Sequence, residues 1–231
     1  MHCVALSIDG KLYSWGCNDD MALGREGEED YPAPITTLEH EFIVDVACGD
    51  SITLALTKQG TVYSWGTFRD SRGVFGHSVS QTRQKEPALI AELKDVIGIA
   101  CGTNHAAALT ANDKIYTWGV GEQGQLCRKI MSRHTYEASL KPRAINFKPF
   151  KKLPFFKGVY CGSYHTFLLQ KEGSVYACGL NNHGQLGIGP YSPEDNFNPY
   201  LVEALEGKDV VQLAAGEHHS MALTSGGIIL Y

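Results

Sequence analysis

A five-residue phrase recurs along the chain, and this repeat constrains the fold more than any other feature of the sequence. An apolar residue, a Tyr, a small residue, a Trp or Cys, and a Gly follow one another at residues 12–16, 62–66, 115–119 and 175–179. Residues 229–231 begin a fifth copy, and successive tyrosines are separated by 50, 53, 60 and 55 residues. A period of about 50 residues containing several short strands is typical of the blades of a β-propeller.

A second phrase precedes the first in each unit. A His followed by small and apolar residues opens the segments 105–110, 165–170 and 219–224, whereas the second unit has Ile52 at the His position. A Gly-containing turn such as Lys58-Gln59-Gly60 separates the two phrases. The alternating and β-branched residues on both sides of that turn predict antiparallel hairpins. Because the histidines recur in phase, we expect them to be structural residues that form hydrogen bonds.

Composition agrees with an all-β globular chain and excludes several classes of function. The 231 residues are 43% hydrophobic and 19% charged, so the chain can bury a core, and the net charge of −5 disfavours general DNA binding. We find no secretory signal, no apolar run of membrane-spanning length, and no P-loop, metalloprotease or serine-hydrolase motif. A dinucleotide-like glycine pattern at 119–124 falls in the turn of a repeat. We therefore expect no covalent catalysis, no cofactor, no metal and no membrane partner.

The cysteines of the sequence number seven and form no Cys-x-x-Cys pair. Cys48, Cys101 and Cys161 precede a Gly in the same local phrase, and the next copy has Ala215 instead. A position that accepts Cys or Ala is expected to be small and buried. This interpretation favours free thiols in a reducing compartment over disulfides or zinc ligands.

Taken together, these phrases resemble the repeat of the regulator of chromosome condensation family. The likeness rests on the His phrases, on Val62-Tyr63-Ser64-Trp65-Gly66 and on Gly184-Gln185-Leu186-Gly187, and it covers nearly the whole chain. The resemblance implies a seven-bladed β-propeller, which needs roughly 380 residues at this period. We therefore expect an open arc of about four blades belonging to a longer protein. The expected repeat units are residues 1–46, 47–99, 100–159, 160–213 and the start of a further unit at 214–231.

The second unit departs from the repeat after Trp65-Gly66. Ten residues lead from there to the next aligned glycine, Gly76, whereas eight suffice in the first unit. The longer segment resembles the β-wedge with which the founding member of this family acts on a small GTPase, a feature that generic members are not expected to have. A longer loop without a role is the alternative interpretation. The predicted wedge residues run consecutively: Phe68, Arg69, Asp70, Ser71, Arg72, Gly73, Val74 and Phe75.

Three loop residues extend this candidate site. Asp50, Asn104 and His218 each lie in the short loop that follows a Gly and precedes a blade strand. The resemblance implies that these loops contact the GTPase, and it leads us to expect an acid where Asn104 stands. His218 is out of phase with the recurring histidines, which makes it the better candidate for a binding residue.

The resemblance implies a guanine-nucleotide exchange factor for the small GTPase Ran, acting in the nucleus on chromatin, with a cytoplasmic location left open. Such a factor accelerates GDP release without covalent chemistry. The alternative from another class is a propeller of the same repeat family that only provides a platform for protein interactions. A third, weaker alternative is a relative associated with ubiquitin ligases or cilia.

Charge is unevenly distributed along the sequence and suggests further partners. One base, Arg25, accompanies the acids of residues 18–50, and one acid, Glu137, accompanies the bases of residues 128–157. The basic segment predicts either a solvated loop or a contact with DNA or phosphate, and the acidic segment suits Ran or core histones. The acids are Asp19, Asp20, Glu26, Glu28, Glu29, Asp30, Glu39, Glu41, Asp45 and Asp50. The bases are Arg128, Lys129, Arg133, Lys141, Arg143, Lys148, Lys151, Lys152 and Lys157.

Overall fold

The computed structural model describes residues 1–130, 138–146, 155–189 and 197–231. Within these residues, short antiparallel strands account for nearly all regular structure, with 3-10 turns at Thr36–Leu38 and Glu203–Leu205. The strands of the first half are β1 (His2–Leu6), β2 (Leu12–Gly16), β3 (Ala33–Pro34), β4 (Ile43–Cys48), β5 (Ile52–Thr57), β6 (Val62–Gly66), β7 (Phe68–Asp70), β8 (Gly73–Gly76), β9 (Gln84–Leu89) and β10 (Val96–Cys101). Those of the second half are β11 (His105–Thr110), β12 (Ile115–Gly119), β13 (Arg143–Ala144), β14 (Phe156–Cys161), β15 (His165–Gln170), β16 (Val175–Gly179), β17 (Tyr200–Leu201), β18 (Val210–Ala215), β19 (Ser220–Thr224) and β20 (Ile229–Leu230).

The strands form five successive blade sheets and one separate hairpin. The first sheet is β1-β2-β3, the second β4-β5-β6-β9, the third β10-β11-β12-β13, the fourth β14-β15-β16-β17 and the fifth β18-β19-β20. Strands β7 and β8 pair only with each other, as a two-stranded hairpin between β6 and β9. The predicted all-β propeller architecture, open as an arc, is confirmed.

The recurring phrases are the central hairpins of the blades. The His phrase forms one strand and the Tyr-x-Trp-Gly phrase the next, with Ile52 opposite Gly66 and His105 opposite Gly119. At the turn between β5 and β6, Gly60 has φ of 80°, a left-handed conformation that glycine adopts without steric strain. Both faces of β5 and β11 are buried because each blade is sandwiched between its neighbours.

Apolar clusters between successive sheets hold the arc together. The cluster between the second and third sheets includes Ile52, Phe68, Ala106 and Trp118, all of which are buried. A separate apolar cluster joins each other pair of neighbouring sheets. Each blade therefore depends on the next for burial of its faces, as expected for repeat architectures.

The sheets begin slightly earlier in the chain than the repeat units we predicted. The second sheet begins at Ile43 and the third at Val96, whereas the predicted units begin at residues 47 and 100. The difference arises because the innermost strand of each blade lies before the Cys-Gly phrase, where the sequence repeat is weakest. No helix in the described part of the chain is long and apolar enough to span a membrane.

Two expectations about cysteines were wrong. Cys48 is exposed, and Cys101 and Cys161 are only partly buried, because they lie at the inner edge of the sheets and face the central opening. Their small size suits that narrow position, but they are not buried filler. In addition, Cys127 and Cys178 form a disulfide that joins the third blade to the fourth, with Cα atoms 5.5 Å apart.

Candidate partner-binding face

The loops that carry Asp50, Asn104 and His218 lie at one end of the blades. Backbone hydrogen bonds link them in series: Asp50 N donates to Thr103 O at 2.9 Å, and Thr103 N donates to Ser163 O at 3.2 Å. Ser163 N in turn donates to Gly216 O at 3.0 Å. Each Cys-Gly or Ala-Gly phrase is thereby fixed to the next. We call this end of the arc the loop face.

The β7-β8 hairpin rises from the same face. Thr67 N donates to Ser51 O at 2.7 Å, so the hairpin begins beside the Asp50 loop. Its strands pair Phe68 with Gly76 and Asp70 with Gly73. The structure thus brings the predicted hairpin and the three predicted loops to one end of the molecule.

The hairpin tip is held by interactions of its own. Arg72 N donates to Asp70 Oδ1 at 2.9 Å, and the Arg72 guanidinium donates to Asp70 Oδ2 at 2.7 Å. Gly73 has φ of 117°, a conformation strained for residues with a Cβ. Ser71 and Arg72 are exposed, while Val74 is half-buried. A charged tip, held by the Asp70–Arg72 ion pair, therefore projects into solvent.

The two phenylalanines of the segment differ in exposure. Phe68 is fully buried at the base of the hairpin, where its ring packs against the backbone at Gly119. Phe75 is half-buried and contacts the same apolar cluster. Phe68 consequently anchors the hairpin to the interface between the second and third sheets, and the exposed part of the segment is the Ser71–Arg72 tip.

The base of the hairpin also contains a buried ion cluster that the sequence did not reveal. Asp20, from the loop after β2, is only 8% exposed and accepts hydrogen bonds from Arg69 at 2.7 Å and Arg83 at 3.1 Å. Ser51 Oγ donates to the same carboxylate at 2.9 Å. Burial tends to raise the pKa of Asp20, but these hydrogen bonds outweigh it, and the pKa lies below its usual value.

Asn104 is half-buried and turns toward the hairpin. Its Oδ1 accepts a hydrogen bond from the backbone N–H of Arg69 at 2.9 Å. An Asp at this position could accept the same bond, so the Asn side chain keeps the geometry while losing the negative charge. Asn104 therefore connects the third sheet to the hairpin.

His218 lies farther along the loop face and is exposed. Its imidazole is 4.5 Å from that of His183, measured between ring centroids, and its Nε2 lies 3.7 Å from Glu217 Oε1. Asp50, in the second blade, is also exposed. Both side chains are accessible to a partner that covers this face.

The in-phase histidines bridge neighbouring blades. His105 Nε2 lies 2.9 Å from Thr166 Oγ1, whose single hydrogen is donated to Gln125 O at 2.8 Å. Because that hydrogen is already used, His105 must donate through Nε2–H, and its Nδ1 is left unprotonated without a partner among the described residues. Burial, followed by the nearby His165, lowers the pKa of His105 to about 3. His105 is therefore a neutral structural residue.

The same bridge occurs at two other interfaces and is missing at one. His2 reaches Thr53 at 2.7 Å, and His165 reaches Ser220 at 3.0 Å. Between the second and third sheets, Ile52 replaces the His and Ala106 replaces the hydroxyl residue, and both are fully buried. The interface that lacks the histidine bridge is therefore the one where Phe68 packs at the base of the hairpin.

The charged segments are partly used within the fold. Glu26 pairs with Lys85, and Glu41 accepts a hydrogen bond from Tyr63 at 2.9 Å. Lys157 donates to a backbone carbonyl at 3.0 Å, whereas Lys141 and Arg143 are exposed. The predicted contacts through Arg133, Lys148, Lys151 and Lys152 lie outside the described residues.

The loop face combines a charged hairpin, exposed Asp50 and His218, and a concave opening bordered by the linked loops. No cluster of three or more His, Cys, Asp or Glu side chains that would suit a metal ion occurs in the described portion of the chain. The Asp20 and Asp70 carboxylates of the face are engaged by arginines, whereas Asp50 and His218 are exposed. This arrangement suits recognition of a protein surface.

Comparison with known proteins places the chain in a family. The model of the RCC1-like domain matches residues 1–231, and the chain belongs to this propeller family. The chain is 40% identical over 249 residues to protein pim1 of Schizosaccharomyces pombe, covering 100% of this chain and 45% of pim1. It is 32% identical over 267 residues to the guanine nucleotide exchange factor SRM1 of Saccharomyces cerevisiae, covering 98% of this chain and 53% of that protein.

A solved structure agrees with the fold. The crystal structure of Prp20p from Saccharomyces cerevisiae, presented with its binding properties to Gsp1p and histones, matches with a TM-score of 0.88 and 32% identity. The match covers 99% of this chain and 54% of that one. The chain thus spans about half the length of the relatives it matches.

Proposed function

We propose that this chain is part of a guanine-nucleotide exchange factor for the small GTPase Ran, which it contacts with the loop face. The observation that carries the proposal is the β7-β8 hairpin, an addition to the repeat that projects from that face and is braced on both sides. The name of SRM1, a relative matched over nearly the whole chain, supports nucleotide exchange.

In this mechanism the exchange factor performs no covalent step. A GTPase holds its nucleotide through backbone N–H groups, a lysine and Mg²⁺. A factor that binds the nucleotide-free state more tightly than the loaded state lowers the barrier to release. An acceleration of roughly 10⁵-fold corresponds to about 7 kcal/mol of barrier. The Ser71–Arg72 tip would press on the phosphate-binding region, while Asp50 and His218 hold the surrounding surface.

The position of the acids supports a partner with a basic surface. Asp50 is exposed beside the hairpin, and no ion pair with it occurs in the parts of the chain that the structure describes. Core histones also present basic surfaces, and Prp20p has been studied for histone binding. We propose histones as a second partner and chromatin in the nucleus as the location, with Ran as the substrate of exchange.

The decisive experiment measures release of a fluorescent GDP analogue from Ran, with this chain and with a full-length, seven-bladed version. Deleting residues 69–75 should nearly abolish exchange by the full-length protein and weaken its binding to Ran. Glu172→Gln, in an exposed turn of the fourth blade away from the loop face, is the control and should leave exchange unchanged. Unchanged exchange after the hairpin deletion would sink the proposal. Binding without any exchange would instead support the non-catalytic interaction platform.

A further inference from the structure

We propose that Asp20 is a positioning residue for exchange, which holds the hairpin in the orientation that acts on the GTPase. This inference rests on the proposed function. Asp20 lies at the base of the hairpin and is 8% exposed. Its side-chain hydrogen bonds within the described part of the chain go to Ser51, Arg69 and Arg83 and not to the Ser71–Arg72 tip, so it acts through other residues.

The contacts of Asp20 reach the first strand of the hairpin and the segment that follows the hairpin. Its Oδ2 accepts from Arg69 at 2.7 Å, in the first hairpin strand, and its Oδ1 accepts from Arg83 at 3.1 Å, in the segment that leads to β9. Ser51 Oγ, from the adjoining loop, donates to Oδ2 at 2.9 Å. One carboxylate from the first blade therefore ties together the entry to and exit from the hairpin of the second.

The hairpin needs such support because its own pairing is short. Strands β7 and β8 contain three and four residues and pair with no third strand. A two-stranded hairpin of this length has little independent stability. Asn104 holds Arg69 N–H from the third blade at 2.9 Å, so Asp20 and Asn104 clamp the same strand from opposite sides.

Charge makes Asp20 hard to replace. The carboxylate offers two oxygens to two guanidinium groups, and charge-assisted bonds of this kind are stronger than neutral ones. An amide in its place retains one acceptor oxygen and leaves Arg69 and Arg83 near each other without a counter-ion. We therefore expect neutralisation to release the hairpin base while the blade cores, which Asp20 does not enter, stay folded.

Two independent readouts test this role. In Asp20→Asn, backbone amides of residues 69–76 should exchange with deuterium about tenfold faster, while amides of the fourth blade stay unchanged. In the Ran assay with the full-length protein, kcat should fall roughly 10- to 100-fold with KM changed less than about threefold. Asp20→Glu, which keeps the charge, should restore part of both.

Glu172→Gln serves as the matched control, because Glu172 is an exposed acid in a turn of the fourth blade. It removes the same charge and should alter neither readout. Unchanged hairpin protection in Asp20→Asn would overturn the positioning role, whatever the exchange assay shows. If Asp20→Asn speeds deuterium exchange in the hairpin but the original protein releases no GDP, the role of Asp20 in holding the hairpin stands and only the proposed exchange activity is rejected. A rise in KM alone, with kcat preserved, would also overturn the proposal.

Discussion

Two neighbouring interfaces of the arc differ at the same repeat positions. Between the third and fourth blades, His105 and Thr166 form a buried hydrogen bond of 2.9 Å. Between the second and third blades, Ile52 and Ala106 occupy those positions, and Phe68 joins them in one apolar cluster. Replacing both partners of a buried hydrogen bond by apolar groups leaves no unsatisfied atom. The comparison teaches that the repeat was altered in a matched way at the interface that carries the hairpin.

The interface of the third and fourth blades also differs from that of the first and second blades by a second matched change. Trp65 Nε1 donates to Ala22 O at 2.8 Å and leaves no room for a Cβ at Gly24. At the equivalent positions of the third and fourth blades, Cys178 replaces the Trp and Cys127 replaces the Gly, and the two are joined as a disulfide. A covalent bond therefore stands where an aromatic ring packs over a glycine elsewhere.

The largest expected effect tests the apolar interface. Phe68→Ala should lower the free energy of unfolding by about 3–5 kcal/mol, because it leaves a cavity in a fully buried cluster. Urea unfolding of the purified chain measures the change. Phe75→Ala, at a half-buried position of the same hairpin, is the control and should cost less than half as much. A loss below about 1 kcal/mol for Phe68→Ala would show that the hairpin is not rooted in the core.

The next effect concerns the disulfide. Its reduction should lower stability by up to roughly 4 kcal/mol, as expected for a cross-link across 51 residues. The double variant Cys127→Gly/Cys178→Trp recreates the pair seen at Gly24 and Trp65, and it should be insensitive to reductant. Thermal unfolding with and without dithiothreitol distinguishes the two. Equal melting temperatures of the original chain in both conditions would show that the bond contributes nothing.

A pH dependence should follow from the histidine bridges. The pKa of His105 is lowered to about 3 by burial, so between pH 6.5 and 3 the unfolded chain binds more protons than the folded chain. The contribution of neutral His105 to the free energy of unfolding is complete above pH 6.5 and is lost as the pH falls below that value. Urea unfolding measures how far the free energy of unfolding decreases between pH 7 and pH 5. This decrease should be about 2 kcal/mol smaller in His105→Ile than in the original chain. An identical loss in both proteins would contradict a neutral, buried His105.

The smallest effect tests whether one interface can be converted into the other. Thr166→Ala and His105→Ile should each cost about 1–3 kcal/mol, while the double variant should be more stable than their sum by about 1 kcal/mol. The double variant has the residue types of Ile52 and Ala106. A double-mutant cycle by urea unfolding gives the coupling. Strict additivity would mean that the His–Thr bond carries no energy of its own.

Much of the fold follows from the repeat alone, because its hairpins are local and their turns are marked by residues such as Gly60. The hairpin at 68–76 was also predictable, since its extra length stood out against the other units. Asp20, by contrast, pairs with Arg69 and Arg83 across 49 and 63 residues, and no local pattern marks such a contact.

The missed disulfide had a signal in the sequence. Cys127 and Cys178 are the exceptions at two repeat positions, Gly and Trp, that touch each other between blades. If each residue that departs from the repeat is paired with the departure at the position it contacts in the next blade, the disulfide is predicted. The same reasoning links Ile52 with Ala106. The contacts between positions come from the packing of blades, which the sequence of one unit does not contain.

The chain of backbone bonds from Asp50 through Thr103 and Ser163 to Gly216 has a consequence for how such a molecule can diversify. Because main-chain atoms alone make these links, the side chains at the linked positions contribute nothing to them and are free to vary. They do vary, as Asp50, Thr103 and Ser163. Side chains on the loop face can therefore be substituted to recognise a new partner while the backbone that positions them stays unchanged.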